Sequence, residues 1–232
     1  MSEKPILFNT EMVRAILDGR KTQTRRLIKP QPPCTLKKMT EGQRAGEWHL
    51  YQDSPMMNPT TNSPWGAQYS PQYHPGDILW VRETWNGLKT GNEKFGHHKT
   101  FWYKADEKDG NPDDKWRPSI HMPRAAARLF LRIIDVRTER LQDMTEEDAI
   151  CEGYDGMPWC YHHVFENYPD SPIPCDASSG YDCPPDRPCD KSIPELFGET
   201  IWNPTIKKSD LDRYGWEANP WVWVIEFERY TP

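Results

Sequence analysis

The chain has 232 residues, of which 36% are hydrophobic and 12% aromatic, a composition that can bury a core and that excludes a disordered protein. The formal net charge is -6, yet residues 1–44 hold ten Lys and Arg against four Asp and Glu, which predicts a local anion site or a solvated basic face and excludes a protein that is basic throughout. Because no apolar run reaches about eighteen residues and no apolar segment follows a basic start, we expect a soluble, cytoplasmic protein with no membrane partner.

Two elements are predicted at the start of the chain. PILF at residues 5–8 has the apolar character of a short strand, and Thr10 is the expected N-cap of a helix over residues 11–18. Gly19 follows as the residue that ends the helix. The stretch DGRKTQTRRL, residues 18–27, therefore begins where the helix ends, and we expect a turn that presents several basic and hydroxyl side chains to one place.

The next part of the chain combines an irregular stretch with two strands. Residues 29–74 are rich in Pro, Asn, Ser and Gln and predict a long ordered loop with one hairpin around EWHLYQ. In the following strand, ILWVRETW, Trp80 and Arg82 share one face, which suggests a pocket wall with Trp80 as the base-stacking side chain. The alternative is that Arg82 pairs with an acidic neighbour. Residues 100–111 favour another strand that ends in a turn.

A long strand and a short helix follow. The alternating apolar positions of residues 128–141 predict the strand. Thr145 is the expected N-cap of the helix, Asp148 its capping-box partner and Gly153 its stop. Glu152 then lies at the end of this helix.

The last segments predict the fold class. Residues 154–192 are irregular, residues 193–203 favour a helix, and PWVWVIEFE gives the strongest strand signal in the chain. Several strands with few helices predict an α+β protein, a small and partly open β-barrel flanked by helices. The side chains expected on one face of the closing strand are Trp221, Trp223, Ile225 and Phe227.

Four motifs in order carry a family resemblance. They are G-R-K-T-Q-T-R-R after the first helix, the strand P-G-D-I-L-W-V-R, the segment R-L-Q-D-M-T-E-E-D-A-I-C-E-G, and the closing W-V-I-E-F. Together they resemble the ASCH domain family, a branch of the PUA-like β-barrel superfamily, and in particular its larger members from phages and prophages. The resemblance implies one PUA-like domain over residues 1–232, with large loop insertions at about residues 29–74 and 154–217.

Within this family the chain resembles the small bacterial N4-acetylcytidine amidohydrolases. They use a lysine, a threonine three residues later and a distant glutamate to hydrolyse the acetamide on the base. The resemblance places these catalytic roles on Lys21, Thr24 and Glu152, and Arg26 falls on an arginine that follows the threonine in the family pattern. It implies a modified nucleoside, nucleotide or RNA as the binding partner, and no cofactor for the chemistry.

The three residue types also make chemical sense by themselves. An amide on an aromatic ring needs a nucleophile, a group that takes its proton and an acid for the leaving amine. Thr24 can attack if Lys21 takes its proton, which requires burial and the neighbouring cations Arg20, Arg25 and Arg26 to lower the pKa of Lys21. Glu152 then protonates the departing nitrogen.

A second interpretation assigns binding without chemistry. Lys21 with Arg25 and Arg26 could hold a phosphate or an RNA backbone. Arg82 and a stacking tryptophan, Trp80, would complete such a module. In both interpretations the expected substrate-binding side chains are Arg25, Arg26, Trp80 and Arg82.

The six cysteines are expected to be reduced thiols or metal ligands in a cytoplasmic protein. Two histidines, His162 and His163, lie in the same polar segment as four of the cysteines, and four thiolates, or three with one histidine, would satisfy tetrahedral zinc. The alternative is a loop whose cysteines are simply reduced. The candidate ligands of a structural zinc are Cys160, Cys175, Cys183 and Cys189.

Overall fold

A computed structural model describes residues 2–32, 35–38, 48–51, 69–90, 98–107, 115–154 and 192–231. The strands are β1 (Glu3–Leu7), β2 (Gln23–Leu27), β3 (Thr35–Lys38), β4 (Trp48–Tyr51), β5 (Ile78–Arg82), β6 (Trp85–Thr90), β7 (His98–Tyr103), β8 (Phe130–Arg140) and β9 (Trp221–Tyr230). The helices are α1 (Thr10–Leu17), α2 (Glu146–Cys151), α3 (Ile193–Phe197) and α4 (Leu211–Tyr214), with a π-helical turn at Gly198–Trp202 after α3. The predicted α+β class is confirmed.

Five strands form one mixed sheet in the order β1-β5-β8-β9-β2, and two hairpins, β3-β4 and β6-β7, lie outside it. β1 runs parallel to β5, while every other pair in the sheet is antiparallel. The edge strands β1 and β2 do not pair with each other, so the described strands do not form a closed barrel. One side chain bridges the two edges instead, since Arg26 of β2 donates to the carbonyl of Leu7 in β1 at 3.1 Å. The segment before β5 also contacts β1, because the Tyr73 hydroxyl donates to the carbonyl of Pro5 at 2.9 Å.

β9 is buried on both faces because each face belongs to a different core. The face predicted to be apolar packs into a first core together with β1, β5, β8 and α1. On the opposite face Val222 and Val224 belong to a second core, which α2 and residues 192–216 cover. The buried side chains of this second core are Leu141, Met144, Ala149, Tyr154, Phe197, Trp202, Trp216, Val222 and Val224.

The helix boundaries agree with the sequence except at one cap. α1 starts at Thr10, so the N-cap is Asn9, whose extended backbone lets its side chain accept from the Met12 amide at 2.8 Å. The prediction of Thr10 as the cap is therefore wrong by one residue. Gly19 has φ +79°, as expected for a helix stop, and Thr145 and Asp148 form the predicted capping box of α2.

Two predictions about loops are corrected. Residues 23–27 of the basic stretch form the edge strand β2 and not a turn, because they pair with β9 over their whole length. The described part of the second predicted insertion, residues 192–217, is not a loop either, since its aromatic side chains Phe197, Trp202 and Trp216 are buried against the sheet. The helix predicted over residues 193–203 is present as α3 and the π-helical turn.

No helix in the described part of the chain has the length and apolar character needed to cross a membrane.

Candidate functional site

The ends of α1 and α2 meet at the start of β2 and fix the backbone around Lys21. The Lys21 amide donates to the carbonyl of Ala15 at 3.0 Å, and the Thr22 amide donates to the carbonyl of Cys151 at 2.8 Å. One backbone bond thus ties this segment to α1 and the other ties it to α2. Gln23, the first residue of β2, adds bonds from its side chain to the carbonyl and carboxylate of Asp148 at 2.8 and 2.9 Å.

Gly153 allows α2 to approach Lys21 closely. Its φ is +87°, a conformation that other residues rarely adopt. A Cβ at this position would lie 2.8 Å from the Cβ of Ala15 and 3.2 Å from the Cβ of Lys21. The glycine therefore serves both the turn and the packing, and it brings the preceding residue, Glu152, against Lys21.

Lys21 and Glu152 form a buried ion pair. The Lys21 Nζ donates to Glu152 Oε2 at 2.7 Å, to the Glu152 carbonyl at 2.6 Å and to the Gln23 carbonyl at 2.9 Å. The two side chains are 0% and 3% exposed. Burial lowers the pKa of Lys21 below its ordinary value, Glu152 opposes that effect, and Arg26 and Arg25 add to it. Arg20, which was expected to contribute, pairs with Asp18 at 3.1 Å instead.

Arg25 lies behind Glu152 and is neutralised by carboxylates. Its guanidinium contacts Glu152 Oε1 at 3.4 Å, Glu139 Oε2 at 3.2 Å and Asp148 Oδ2 at 3.2 Å, and its side chain is 0% exposed. These contacts leave Arg25 poorly placed for a substrate phosphate. It acts in the structure by holding Glu152 in position.

Thr24 precedes Arg25 in β2, and its side chain is buried on the opposite face of that strand. It is 1% exposed, and its Oγ1 has no hydrogen-bond partner among the described residues. In β2 the side chains alternate between faces, so Thr24 shares a face with Arg26. Their partners on β9, in register, are Ile225 and Trp223.

Arg26 connects this face to Lys21 through one aromatic ring. The Arg26 Cζ lies 5.4 Å from the centroid of the Phe8 ring, and the Lys21 Nζ lies 5.5 Å from the same centroid. The Arg26 guanidinium donates to the carbonyls of Arg25 and Leu7 at 3.2 and 3.1 Å. In the described ranges no carboxylate forms an ion pair with it.

A cleft of about 320 Å³ opens beside Arg26, between the β2-β9 pair and residues 70–73. Trp223 and Ile225, the register partners of Arg26 and Thr24, belong to its wall. The cleft therefore lies on the face of the sheet that carries Thr24. Its lining residues are Arg26, Leu27, Lys29, Ser70, Pro71, Gln72, Tyr73, Trp223 and Ile225.

The structure does not bring Trp80 and Arg82 to this cleft. Both lie on β5, where the Arg82 guanidinium stacks on the Trp80 ring at 5.3 Å. Arg82 donates to the carbonyl of Met122 at 3.1 Å and to that of Ile120. Among the described residues Arg82 has no acidic partner, which was the predicted alternative. Of the predicted site residues, the structure brings Lys21 and Glu152 into contact, with Arg25 behind Glu152 and Arg26 against the same Phe8 ring as Lys21. Thr24 lies next to Arg25 on β2, and its hydroxyl makes no hydrogen bond to any of them.

Of the nine residues that line the cleft, sequence reasoning named only Arg26 as a site residue. Lys29 and residues 70–73 fall inside the segment predicted to be a loop insertion, and Trp223 and Ile225 were expected only as members of one face of the closing strand. Trp223 and Ile225 had a usable signal, since their places on the closing strand predict which face they share. Lys29 and residues 70–73 depend on how the chain between β2 and β5 crosses the sheet edge.

The proposed zinc ligands Cys160, Cys175, Cys183 and Cys189 lie outside the described residues, as do His162 and His163, so structural zinc stays a prediction. Among the residues that are described, no group of three or more His, Cys, Asp or Glu side chains is arranged to hold a metal ion. Cys151, at the end of α2, is a free thiol.

Comparison of the chain with protein-family models, with curated proteins and with solved structures gives no match.

Proposed function

We propose that the protein is an amidohydrolase that removes an acyl group from the exocyclic nitrogen of a modified cytidine or a related nucleobase, on a PUA-like domain of the ASCH type. The observation that carries the proposal is the Thr24 hydroxyl. It is buried without a hydrogen-bond partner among the described residues, on the face of β2 that lines the cleft, three residues from the buried Lys21–Glu152 pair. A buried hydroxyl without a partner costs stability, and a role in chemistry is one explanation for such a group.

The ion pair can supply both protonation states that the reaction needs. With three oxygen acceptors around its Nζ, Lys21 rests as an ammonium group. Transfer of one proton to Glu152 across the 2.7 Å hydrogen bond gives a neutral amine and a carboxylic acid. Burial lowers the pKa of Lys21 below its ordinary value, which favours release of this proton. Lys21 then becomes a base and Glu152 an acid without any change in the total number of protons.

The proposed reaction uses each group once in each half. The Thr24 Oγ attacks the acyl carbonyl carbon while its proton passes to the Lys21 amine. The tetrahedral intermediate collapses, the bond from carbon to the exocyclic nitrogen breaks, and the Glu152 carboxylic acid protonates that nitrogen. Water then attacks the threonine ester while the Glu152 carboxylate takes its proton, and the Lys21 ammonium returns a proton to the departing Thr24 Oγ, which releases the carboxylic acid and restores the Thr24 hydroxyl.

A second candidate is a module that binds a modified nucleotide or RNA without chemistry. It is favoured by Arg26, whose guanidinium lines the cleft and has only carbonyl acceptors among the described residues. Arg25 gives it no support, because three carboxylates already surround that cation. The two candidates differ in whether the Thr24 hydroxyl matters.

The test is incubation of the purified protein with N4-acetylcytidine, with chromatographic detection of cytidine. Thr24→Val keeps the shape of the side chain and removes the hydroxyl, so we expect turnover to fall by about 100-fold or more. Thr24→Ser keeps the hydroxyl and is the matched control, for which we expect activity within about tenfold of the original chain.

Loss of folding does not confuse this test. Since the Thr24 Oγ1 is buried without a partner among the described residues, Thr24→Val removes an unsatisfied polar atom, and we expect it to unfold at the same or a higher urea concentration. Undiminished turnover by Thr24→Val would contradict the proposal. Binding of N4-acetylcytidine without any release of cytidine would favour the second candidate.

A further inference from the structure

We infer that the cleft between β2, β9 and residues 70–73 binds the phosphate of a nucleotide, so that the substrate class is an N-acylated cytidine nucleotide and not the free nucleoside. The inference rests on the proposed function for the identity of the base and on the charges of the cleft for the phosphate. It places the phosphate on Arg26 and Lys29, away from Lys21 and Arg25.

Two cations on the cleft wall have no carboxylate within ion-pair distance among the described residues, although the charge of Glu152 acts on Arg26 from farther away. Arg26 and Lys29 both line the cleft, and neither forms an ion pair with a carboxylate in the part of the chain that the structure describes. Lys29 is exposed and contacts the ring of Tyr214, with its Nζ 5.0 Å from the ring centroid. By contrast Arg25 and Arg137, on the opposite face of the same sheet, each contact two or more carboxylates. In a chain of net charge -6, two cations that lack an ion-pair partner among the described residues and share one concave wall favour an anion.

The rest of the wall suits a base and a sugar. Tyr73 and Trp223 contribute aromatic surface, and the Tyr73 hydroxyl is already bonded to the carbonyl of Pro5 at 2.9 Å. Ser70 and Gln72 add uncharged polar groups. A volume of about 320 Å³ lies at the lower end of the range for small-ligand sites, which favours a single nucleotide over a longer oligonucleotide.

The order of the residues along β2 matches the order of groups in a nucleotide. Thr24 and Arg26 share a face and lie two residues apart, about 7 Å along the strand. Lys29 follows two residues after the end of β2 at Leu27 and lines the same cleft as Arg26. An acyl group at Thr24 would therefore leave the sugar and its phosphate on the side of Arg26 and Lys29.

The test compares the binding of cytidine and cytidine 5′-monophosphate to the full chain by isothermal titration calorimetry. We expect the monophosphate to bind about tenfold more tightly, the gain typical of a hydrogen bond to a charged group. Lys29→Gln should remove most of that gain while leaving the affinity for cytidine unchanged. Lys104→Gln, which removes one exposed positive charge outside the cleft, is the matched control and should preserve the gain.

The outcomes separate this inference from the proposed function, because binding is measured without turnover. Equal affinities for cytidine and its monophosphate, or no measurable binding of either, would overturn the inference even if N4-acetylcytidine were hydrolysed. A gain that depends on Lys29 would support it even if no acyl group were removed. A trinucleotide of cytidine that binds more tightly than the monophosphate would overturn the choice of a single nucleotide in favour of RNA.

Discussion

At the residue scale, the charges around Glu152 are unequal in number. One carboxylate contacts two cations, since Glu152 Oε2 accepts from Lys21 at 2.7 Å and Oε1 lies 3.4 Å from Arg25. Removing one partner of a buried pair leaves the other charge without compensation, which costs more than the pair itself contributes. The cost of a substitution therefore depends on which partner remains and on what else that partner contacts.

Glu152→Gln should destabilise the fold more than Lys21→Met does. The first substitution leaves an ammonium group that is 0% exposed with only carbonyl and amide acceptors, for which we expect a loss of about 3–5 kcal/mol. The second leaves Glu152 beside Arg25, and we expect a loss of about 1–3 kcal/mol. Urea unfolding of the two single variants measures the difference in free energy of unfolding.

The matched control for this comparison is Glu228→Gln. Glu228 also forms an ion pair with a cation, Arg132, but both side chains are about half exposed to water. We expect a change of about 0–1 kcal/mol in the free energy of unfolding. A larger loss from Lys21→Met than from Glu152→Gln would show that Arg25 does not compensate Glu152.

At the element scale, sequence reasoning succeeded where the determinants are local. The capping box of α2 and its glycine stop lie within nine residues, so the pattern alone predicts both, and with them the position of Glu152. β2 was missed because its structure comes from pairing with β9, a strand about two hundred residues away in the chain. The same limit applies to the cleft, whose walls come from three distant segments.

The parallel pair of β1 and β5 depends on another contact between distant residues. Asp77, just before β5, accepts hydrogen bonds from the backbone and side chain of Ser2 at 3.2 and 2.7 Å, from Lys4 at 2.7 Å and from the His74 amide at 3.1 Å. Burial would raise the pKa of Asp77, but these bonds, with Lys4 foremost, hold it well below its ordinary value. The carboxylate thereby clamps β1 onto β5.

Asp77→Asn should lower stability at pH 7 and make it less sensitive to acid. The pKa of Asp77 is lower in the folded state than its unfolded value of about 3.9, so its contribution is present above that pH and is lost as the pH falls below it. We therefore expect the difference in free energy of unfolding between the two chains to shrink from pH 7 to pH 3 in urea titrations.

Asp212→Asn, at an exposed position on α4, serves as the control, with little change expected at either pH. If the difference between the original chain and Asp77→Asn stayed constant over this pH range, the clamp would not depend on the charge of the carboxylate.

At the scale of the whole molecule, β9 joins two cores. Its side chains alternate between them, with Trp223 and Ile225 in the first core and Val222 and Val224 in the second. The second core is closed by residues 192–216, which pack Trp216 against the π-helical turn. A disturbance in the second core therefore reaches the backbone that also carries β2 and the cleft.

Gly198→Ala tests this coupling. A Cβ at Gly198 would lie 2.3–2.5 Å from ring atoms of Trp216, a buried side chain with little room to move, so we expect a loss of about 1–3 kcal/mol in the free energy of unfolding. Adding Trp216→Phe should recover part of that loss, because the smaller ring relieves the contact.

Since β9 belongs to both cores, hydrogen exchange of the Gly198→Ala variant should show the amides of β5 and β8 losing as much protection as those of residues 192–216. Loss confined to residues 192–216 would mean that the second core unfolds independently and that the cleft does not depend on it.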